Sequence, residues 1–270
     1  MGILNITLDS FSSDGLLSAL GSDPHAHVRY GLKLIREGAD ILDIGGESAR
    51  PGSDPVAIRE EIRRIIPVIR LLARKTTVPI SVDTYKPEVA RRALDAGAVI
   101  VNTTRGTALD KRLLKVIKAA GAAVVLMHSR KTPKTMQQNI VYRDLIREIM
   151  AELDRSVQKC LETGIKSDRI ILDPGIGFAK TAEHNFEIIK HLKAFQALKR
   201  PLLVGPSRKS FIGKIVNKEP RKRLWGTAAA VSACILNGAH IVRVHDVQAM
   251  RDVASVADAI VNANGYQSTP

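Results

Sequence analysis

The sequence predicts an α/β protein, a (β/α)8 TIM barrel forming one domain over residues 1–270, and three observations carry that prediction. Short runs rich in aliphatic and β-branched residues recur eight times: GILNI (2–6), DILDI (40–44), PISVD (79–83), AVIVN (98–102), AAVVLMH (122–128), RIILD (169–173), PLLVG (201–205) and HIVRVH (240–245). Their near-continuous apolar character is that of strands buried on both faces, as in a parallel sheet. Amphipathic helical patterns alternate with them, and eight strands alternating with eight helices is the count at which a parallel barrel closes. A doubly wound open sheet is the alternative arrangement of the same units.

The first strand is followed by GSDPHAH near position 21, a loop leading into a helix over 24–37. After the second strand, AIREEIRRIIPVIRLLARK begins at Ala57 and places Ile58, Ile62, Ile65, Ile66, Ile69 and Leu72 at spacings of three and four, the apolar stripe of a core-facing helix. The later intervals fit helices at 86–96, 108–119, 142–164, 183–197, 221–237 and 247–263. No linker, low-complexity tract or composition shift divides the chain. With 270 residues and 45% apolar content it can bury one large core.

Leu224 to Val242 runs without a formal charge, but Gly226, Thr227, Asn237, Gly238 and His240 make it a buried helix followed by a strand, not a membrane span. The start MGILNIT lacks the cationic flank and apolar stretch of a signal peptide. Cys160 and Cys234 match neither a disulfide framework nor a metal pattern, which fits a reducing, cytoplasmic setting. Cys160, alone on a helix, reads as packing. The net charge of +14 would suit nucleic acid, an anionic membrane or an anionic small substrate. The cations are dispersed, however, as at Arg63, Arg64 and 111–118, and aromatic residues total only 4%. Such faces read as solvated helix surfaces, so no nucleic-acid partner is expected.

In a barrel, the C-terminal strand ends and the loops beyond them converge on one face. Those ends carry Asn5, Asp43, Asp83, Asn102, His128, Asp173, Arg243 and His245, with Ser207, Arg208 and Lys209 just past strand seven. Asp173 closes an apolar run and precedes Pro174, Gly175 and Gly177; a carboxylate there is costly to desolvate unless a cation or donor is set against it. Asp83, Asn102 and Asp173, with Lys209, suit a flat heterocycle with an amidine-like edge, because one carboxylate accepts two parallel N–H bonds. Asn5, Arg50, Arg243 and His245 suggest an anion site, in which Asn can help to hold a Mg2+ bound mostly by phosphate and water. GIGFAKT lacks the third glycine of a dinucleotide fingerprint, and GPSRKS lacks the glycine that a P-loop places before its lysine. The implied ligand is a polar heterocycle with a phosphate group.

Seven segments, GILNITLDSFSSDG, LDIGGESARPGSDPV, SVDTYKPEVA, VVLMHSRKTPKTMQ, LDPGIGFAKTAEHN, LLVGPSRKSFIG and IVRVHDV, in this order resemble the dihydropteroate synthase family. The resemblance implies a pterin-binding (β/α)8 barrel, a homodimer, that joins 6-hydroxymethyl-7,8-dihydropterin pyrophosphate to p-aminobenzoate with Mg2+, releasing pyrophosphate, and that sulfonamides inhibit. The alternatives are a pterin-binding methyltransferase of the methyltetrahydrofolate class, which shares the barrel, or a pterin-binding paralogue with little synthase activity. The same resemblance gives Asp173, Asn102 and Asp83 to the polar edge of the pterin, with Lys209 on its oxygen and N5 side. It gives Ser207 and Phe178 to p-aminobenzoate, and Asn5, Asp43, Arg50, Arg243 and His245 to the pyrophosphate and its metal. Lys209, Arg50, Arg243 and His245 would act in catalysis. Leu8, Ala49, Thr103 and Ala179 depart from the family pattern, which usually has Pro, Thr, Asp and Gly there.

Overall fold

A computed structural model describes residues 1–7, 15–48, 52–130, 134–136 and 138–263. Among them, β1 (Gly2–Asn5), β2 (Leu42–Gly45), β3 (Ile80–Asp83), β4 (Ile100–Thr103), β5 (Ala123–Met127) and β6 (Ile170–Asp173) form one parallel sheet in chain order. The last two strands, β7 (Leu203–Val204) and β8 (Ile241–Val242), pair with each other in parallel. Single bridges Leu172–Leu202 and Gly2–Val244 join the two pieces at both edges, and the Met1 ammonium donates to Val242 O at 3.0 Å. The ring therefore closes, and the open-sheet alternative is excluded. β7 is short because Pro201 precedes it and Gly205–Pro206 ends it; proline supplies no ladder donor.

The expected helices form as α2 (Pro24–Arg36), α3 (Ile58–Ala73), α4 (Pro87–Asp95), α5 (Lys111–Ala120), α6 (Leu145–Thr163), α7 (Ala182–Lys190), α9 (Leu224–Leu236) and α10 (Val247–Val261). Caps set several boundaries: Asp110 and Asp144 accept first-turn N–H groups of α5 and α6, and Gly121 and Gly164 end those helices in the left-handed region. Two short helices, α1 (Leu16–Leu20) and α8 (Ser210–Val216), lie outside the eight-fold pattern. The helix expected over 183–197 stops at Lys190 and continues as a 3-10 turn, Leu192–Leu198. The uncharged stretch from Leu224 is α9 plus β8, and no helix among the described residues is long and apolar enough to cross a membrane.

One apolar layer fills the space between strands and helices, including Leu4, Ile44, Val82, Val101, Leu126 and Leu172 from the outward strand faces. Inside the barrel floor a second cluster of Met1, Ile41, Ile100, Val125, Ile171, Leu203 and Ile241 forms a plug. Side chains alternate along each strand, so the residue two positions past each plug residue points into the barrel mouth. Asp43, Asn102, Met127, Asp173, Gly205 and Arg243 reach their places this way. Register adds the rest, pairing Asn5 with Gly45, Gly45 with Asp83 and Asp83 with Asn102 in one row. Both cysteines are free and buried, and burial pushes each thiol up to about 12.

Candidate active site

The barrel mouth holds a pocket lined by Asn5, Asp83, Asn102, Asp173, Phe178, Ser207, Lys209, Arg243 and His245, all anticipated from the sequence. Ile3, Glu47, Ser48, Thr104, Met127 and Gly205 complete its wall. Arg50, Leu8 and Ala49 lie outside the described residues.

Asp43 is one layer lower, fully buried and not in the lining. Its Oδ2 accepts from Arg243 Nε at 2.6 Å and Asn102 Nδ2 at 3.1 Å, so it orients two lining residues from beneath. The placement differs from the pyrophosphate contact expected by resemblance, because the strand register sets Gly45, not Asp43, level with Asn5 and Asp83. Arg243 also reaches Asp83 Oδ2 at 3.1 Å, one guanidinium spanning two carboxylates.

Burial, then the Asp43 charge, pushes the Asp83 carboxyl up to about 7, with Arg243 opposing. A raised carboxyl pKa means that the native protein keeps a proton the unfolded chain releases from about 3.8 upward. This group's contribution to stability is therefore present at low pH and lost as pH rises through 7. Asp83→Asn is expected to match the parent in stability at pH 4 and to exceed it by about 2 kcal/mol at pH 8. Urea titrations of both proteins at the two pH values check this; a gain that does not grow with pH would contradict it.

Asp173 is 6% exposed at the end of β6. Its Oδ1 accepts from Gly175 N at 2.7 Å, made possible by the turn Pro174 begins and Gly175 completes at φ +74°. A Cβ at Gly175 would stand 2.0 Å from His128 O, so no other residue fits. Burial raises the Asp173 pKa, countered by Lys209, the Gly175 N–H, Lys180 and Arg243. Lys209 caps the Ile176 carbonyl and lies 4.7 Å from the Phe178 ring centroid; burial lowers its pKa to about 8. Across the mouth, Ser207 Oγ is 2.9 Å from His245 Nδ1. Arg208 turns away at φ +58° and pairs with Asp246 at 2.9 and 2.5 Å, so its role is to brace the loop.

Two departures from the family pattern become interpretable. Thr103 is buried, and its Oγ1 accepts Arg105 N at 3.3 Å, so the hydroxyl braces the turn after β4. Ala179 holds φ +49°, a conformation in which an L residue is strained by about 1–2 kcal/mol and glycine is not.

Beside the pocket, Lys86 Nζ donates to Glu47 Oε2 (2.5 Å), Glu61 Oε2 (2.5 Å) and Val56 O (2.6 Å), while Glu47 accepts Val56 N at 2.7 Å. Lys86 thus ties both ends of the loop between β2 and α3. Burial opposes its charge, but the two glutamates outweigh burial and raise its pKa. Sequence pattern missed this cluster: Lys86 precedes Pro87 at a helix start and looks solvent-facing, and Glu61 sits in a charged REE run. His128, a strand end by pattern, is fully buried outside the lining.

A closed parallel barrel whose mouth joins buried carboxylates to a cationic rim defines a small-molecule enzyme of the pterin-binding class, and the profile described as pterin binding enzyme matches residues 1–245. The dihydropteroate synthase of Synechocystis sp. (strain ATCC 27184 / PCC 6803 / Kazusa) is 46% identical over 261 residues, 96% of this chain and 89% of the relative. That of Escherichia coli (strain K12) is 40% identical over 264 residues, 97% and 92%. The crystal structure of Yersinia pestis dihydropteroate synthase with a sulfonamide drug complex superposes with TM-score 0.92 at 36% identity, covering 96% of this chain and 93% of that one. The Coxiella burnetii enzyme in complex with pteroic acid gives 0.88 at 36%, covering 97% and 93%. The chain belongs to the dihydropteroate synthase family.

Proposed function

We propose that this protein condenses 6-hydroxymethyl-7,8-dihydropterin pyrophosphate with p-aminobenzoate to give 7,8-dihydropteroate and pyrophosphate. The observation that carries the reading is Asp173, a buried carboxylate at the pocket wall with one backbone donor of its own and room for a ligand to supply the rest. It accepts the N3–H and 2-amino group of the pterin; Asn102 and Asp83 hold the remaining polar edge, and Lys209 faces the ring oxygen and N5. The pyrophosphate lies at the cationic side, against Arg243 and His245; the family resemblance adds Arg50 to its partners. There the charge that develops on the leaving group is met by fixed cations and donors. The exocyclic methylene, left electron-poor, is captured by the aniline nitrogen of p-aminobenzoate, seated along Phe178 with its carboxylate at Ser207. Sulfonamides would compete for that seat.

Among the described residues no three His, Cys, Asp or Glu side chains could hold a metal ion between them. Asn5, a neutral oxygen donor in the lining, suits a Mg2+ whose other ligands are phosphate oxygens and water. When bound, the ion would supply further neutralisation of the pyrophosphate. The reading is tested by a coupled assay of pyrophosphate release from the two substrates: turnover that needs both and stops on chelation is expected, and none from folded protein would overturn it.

The protein works in the cytoplasm as a homodimer. Support for the dimer comes from Phe186, Ile215, Trp225, Leu236, Val256 and Ile260, apolar and exposed on α7 to α10, helices that pack on one another. Exposed apolar side chains gathered on neighbouring helices suit a face that a second copy covers. Trp225 is 78% exposed; Trp225→Lys is expected to weaken dimerisation by about 2 kcal/mol, roughly thirtyfold, in sedimentation equilibrium. An unchanged dimer would place the interface elsewhere. Many helix-face cations are already paired, as Arg63 and Arg64 with Glu60 and Arg91 and Arg92 with Glu88, which supports no nucleic-acid partner.

A further inference from the structure

We propose that Lys180 is a positioning residue of the pterin site: its ammonium is the core around which the loop from Asp173 to Lys180 is wound, and it supplies a counter-charge to Asp173 from behind. The inference rests on the reading of Asp173 as the pterin anchor. Lys180 is 2% exposed and is not in the pocket lining, so it acts through its neighbours and does not touch the ligand.

The loop it serves cannot satisfy itself. Gly175, Gly177 and Ala179 all have positive φ, at +74°, +84° and +49°, so the chain here is neither helix nor strand and no regular ladder forms. Buried backbone groups still require partners. Side chains supply them: Lys209 donates to Ile176 O, Lys180 to Phe178 O at 2.9 Å, Tyr142 OH to Ala179 O at 3.0 Å, and Asn185 Oδ1 accepts Gly177 N at 2.6 Å. Only two of these supports carry a charge, and Lys180 is the one the proposed reaction does not use. By holding the Phe178 carbonyl it fixes the stretch of backbone from which the Phe178 ring projects.

The ammonium has a second partner. Lys180 Nζ lies 3.0 Å from His128 Nδ1, and an ammonium only donates, so Nδ1 is the acceptor and the imidazole is neutral. The ring proton is then on Nε2, which donates to Glu152 Oε2 at 3.0 Å, and Glu152 is held in turn by Arg130 at 2.9 and 2.6 Å. His128 is thereby kept neutral behind the loop, its pKa lowered by burial and by Lys180 to about 4. A Cβ on Gly175 would stand 3.3 Å from Lys180 Nζ, and Gly175 N is the donor to Asp173. The cation therefore sits one residue behind the anchor carboxylate. The groups facing it are Asp173 and Glu152, which favour its charge, and Lys209 and Arg130, which oppose it; burial lowers its pKa to about 7.

Two effects follow from removing this charge, and they separate experimentally. Lys180→Met leaves Phe178 O without its donor and Asp173 with one cation fewer. The affinity for a pterin analogue is expected to fall about tenfold at pH 7, and its loss on acidification, as Asp173 takes up a proton, should begin about one pH unit higher than in the parent. Between pH 5 and 7 Lys209 stays charged and Asp83 titrates in both proteins, while Lys180 completes its own protonation in the parent and His128, freed of the Lys180 charge, takes up a proton more readily in the variant; imidazole NMR on both proteins separates the His128 proton from that of Asp173. Tyr142→Phe removes a neutral donor from the same loop and should weaken binding without moving the acid limb. Calorimetry across this pH range on the three proteins decides. If Lys180→Met does not fold, Lys180→Gln, which keeps a donor without the charge, must show the same displaced acid limb. A parent that binds the analogue beside a Lys180 variant with equal affinity and an unmoved limb overturns this inference alone; a parent that binds no pterin analogue overturns the proposed function beneath it.

Discussion

Asp173→Asn is expected to fold normally and to lose about 2–4 kcal/mol of transition-state stabilisation, roughly 30- to 900-fold in kcat/KM. The fold should persist because Asn Oδ1 can still accept the Gly175 N–H that closes the turn. Stability should hold or rise at neutral pH, since burial raises the Asp173 pKa and the ionised form is the disfavoured one in the absence of ligand. The loss falls on recognition: the variant's amide presents an N–H to ring N–H groups that need an acceptor. Steady-state kinetics beside thermal denaturation checks the prediction. A variant that unfolds while the surviving fraction binds pterin normally would make Asp173 a structural residue.

Arg243→Met is expected to be the most damaging single change to stability within the site, about 3–5 kcal/mol, because it strands two carboxylates at once. Asp43 is fully buried and Asp83 partly so, and both oxygens that Arg243 grips, at 2.6 and 3.1 Å, lose their cation. Without it Asp83 holds its proton to still higher pH, so the variant's native state binds more protons than its unfolded state. The deficit should therefore be larger at pH 8 than at pH 5. Adding Asp83→Asn to the variant should recover part of the loss at pH 8 and little at pH 5. Denaturant titrations of the single and double variants at both pH values measure this, and a pH-independent deficit would mean that the guanidinium acts by packing alone. Turnover should fall as well, since the same group faces the departing pyrophosphate.

Much of this arrangement is legible in sequence because a parallel barrel couples chain order to geometry. A polar residue at the end of an apolar run has one destination, the mouth, and Asp173, Asn102, Arg243 and Asn5 reach it. The limit of that reasoning is height within the barrel. Asp43 and Asp83 both lie within a strand's last residues, but the register puts Gly45 beside Asp83 and leaves Asp43 a layer below. Period-two patterning gives the face of a strand, not its offset from its neighbours. Lys180 and Lys86 escaped for a different reason. Each is a lysine in a polar stretch, indistinguishable by pattern from the solvated lysines of α5, and only tertiary contacts with His128, Glu47 and Glu61 reveal that they are buried. Ala179 stood out as a departure from glycine, and its φ of +49° supplies the reason that glycine is usual there.

The central claim is that this barrel mouth joins the two substrates, with Asp173 holding the pterin while its pyrophosphate leaves. A single-turnover experiment with enzyme in excess over 6-hydroxymethyl-7,8-dihydropterin pyrophosphate, quenched after addition of p-aminobenzoate, tests it most directly. The account predicts dihydropteroate and pyrophosphate in equal amounts, with the rate constant lowered in Asp173→Asn and the stoichiometry unchanged. Pyrophosphate without dihydropteroate, or neither product from folded protein, would contradict it.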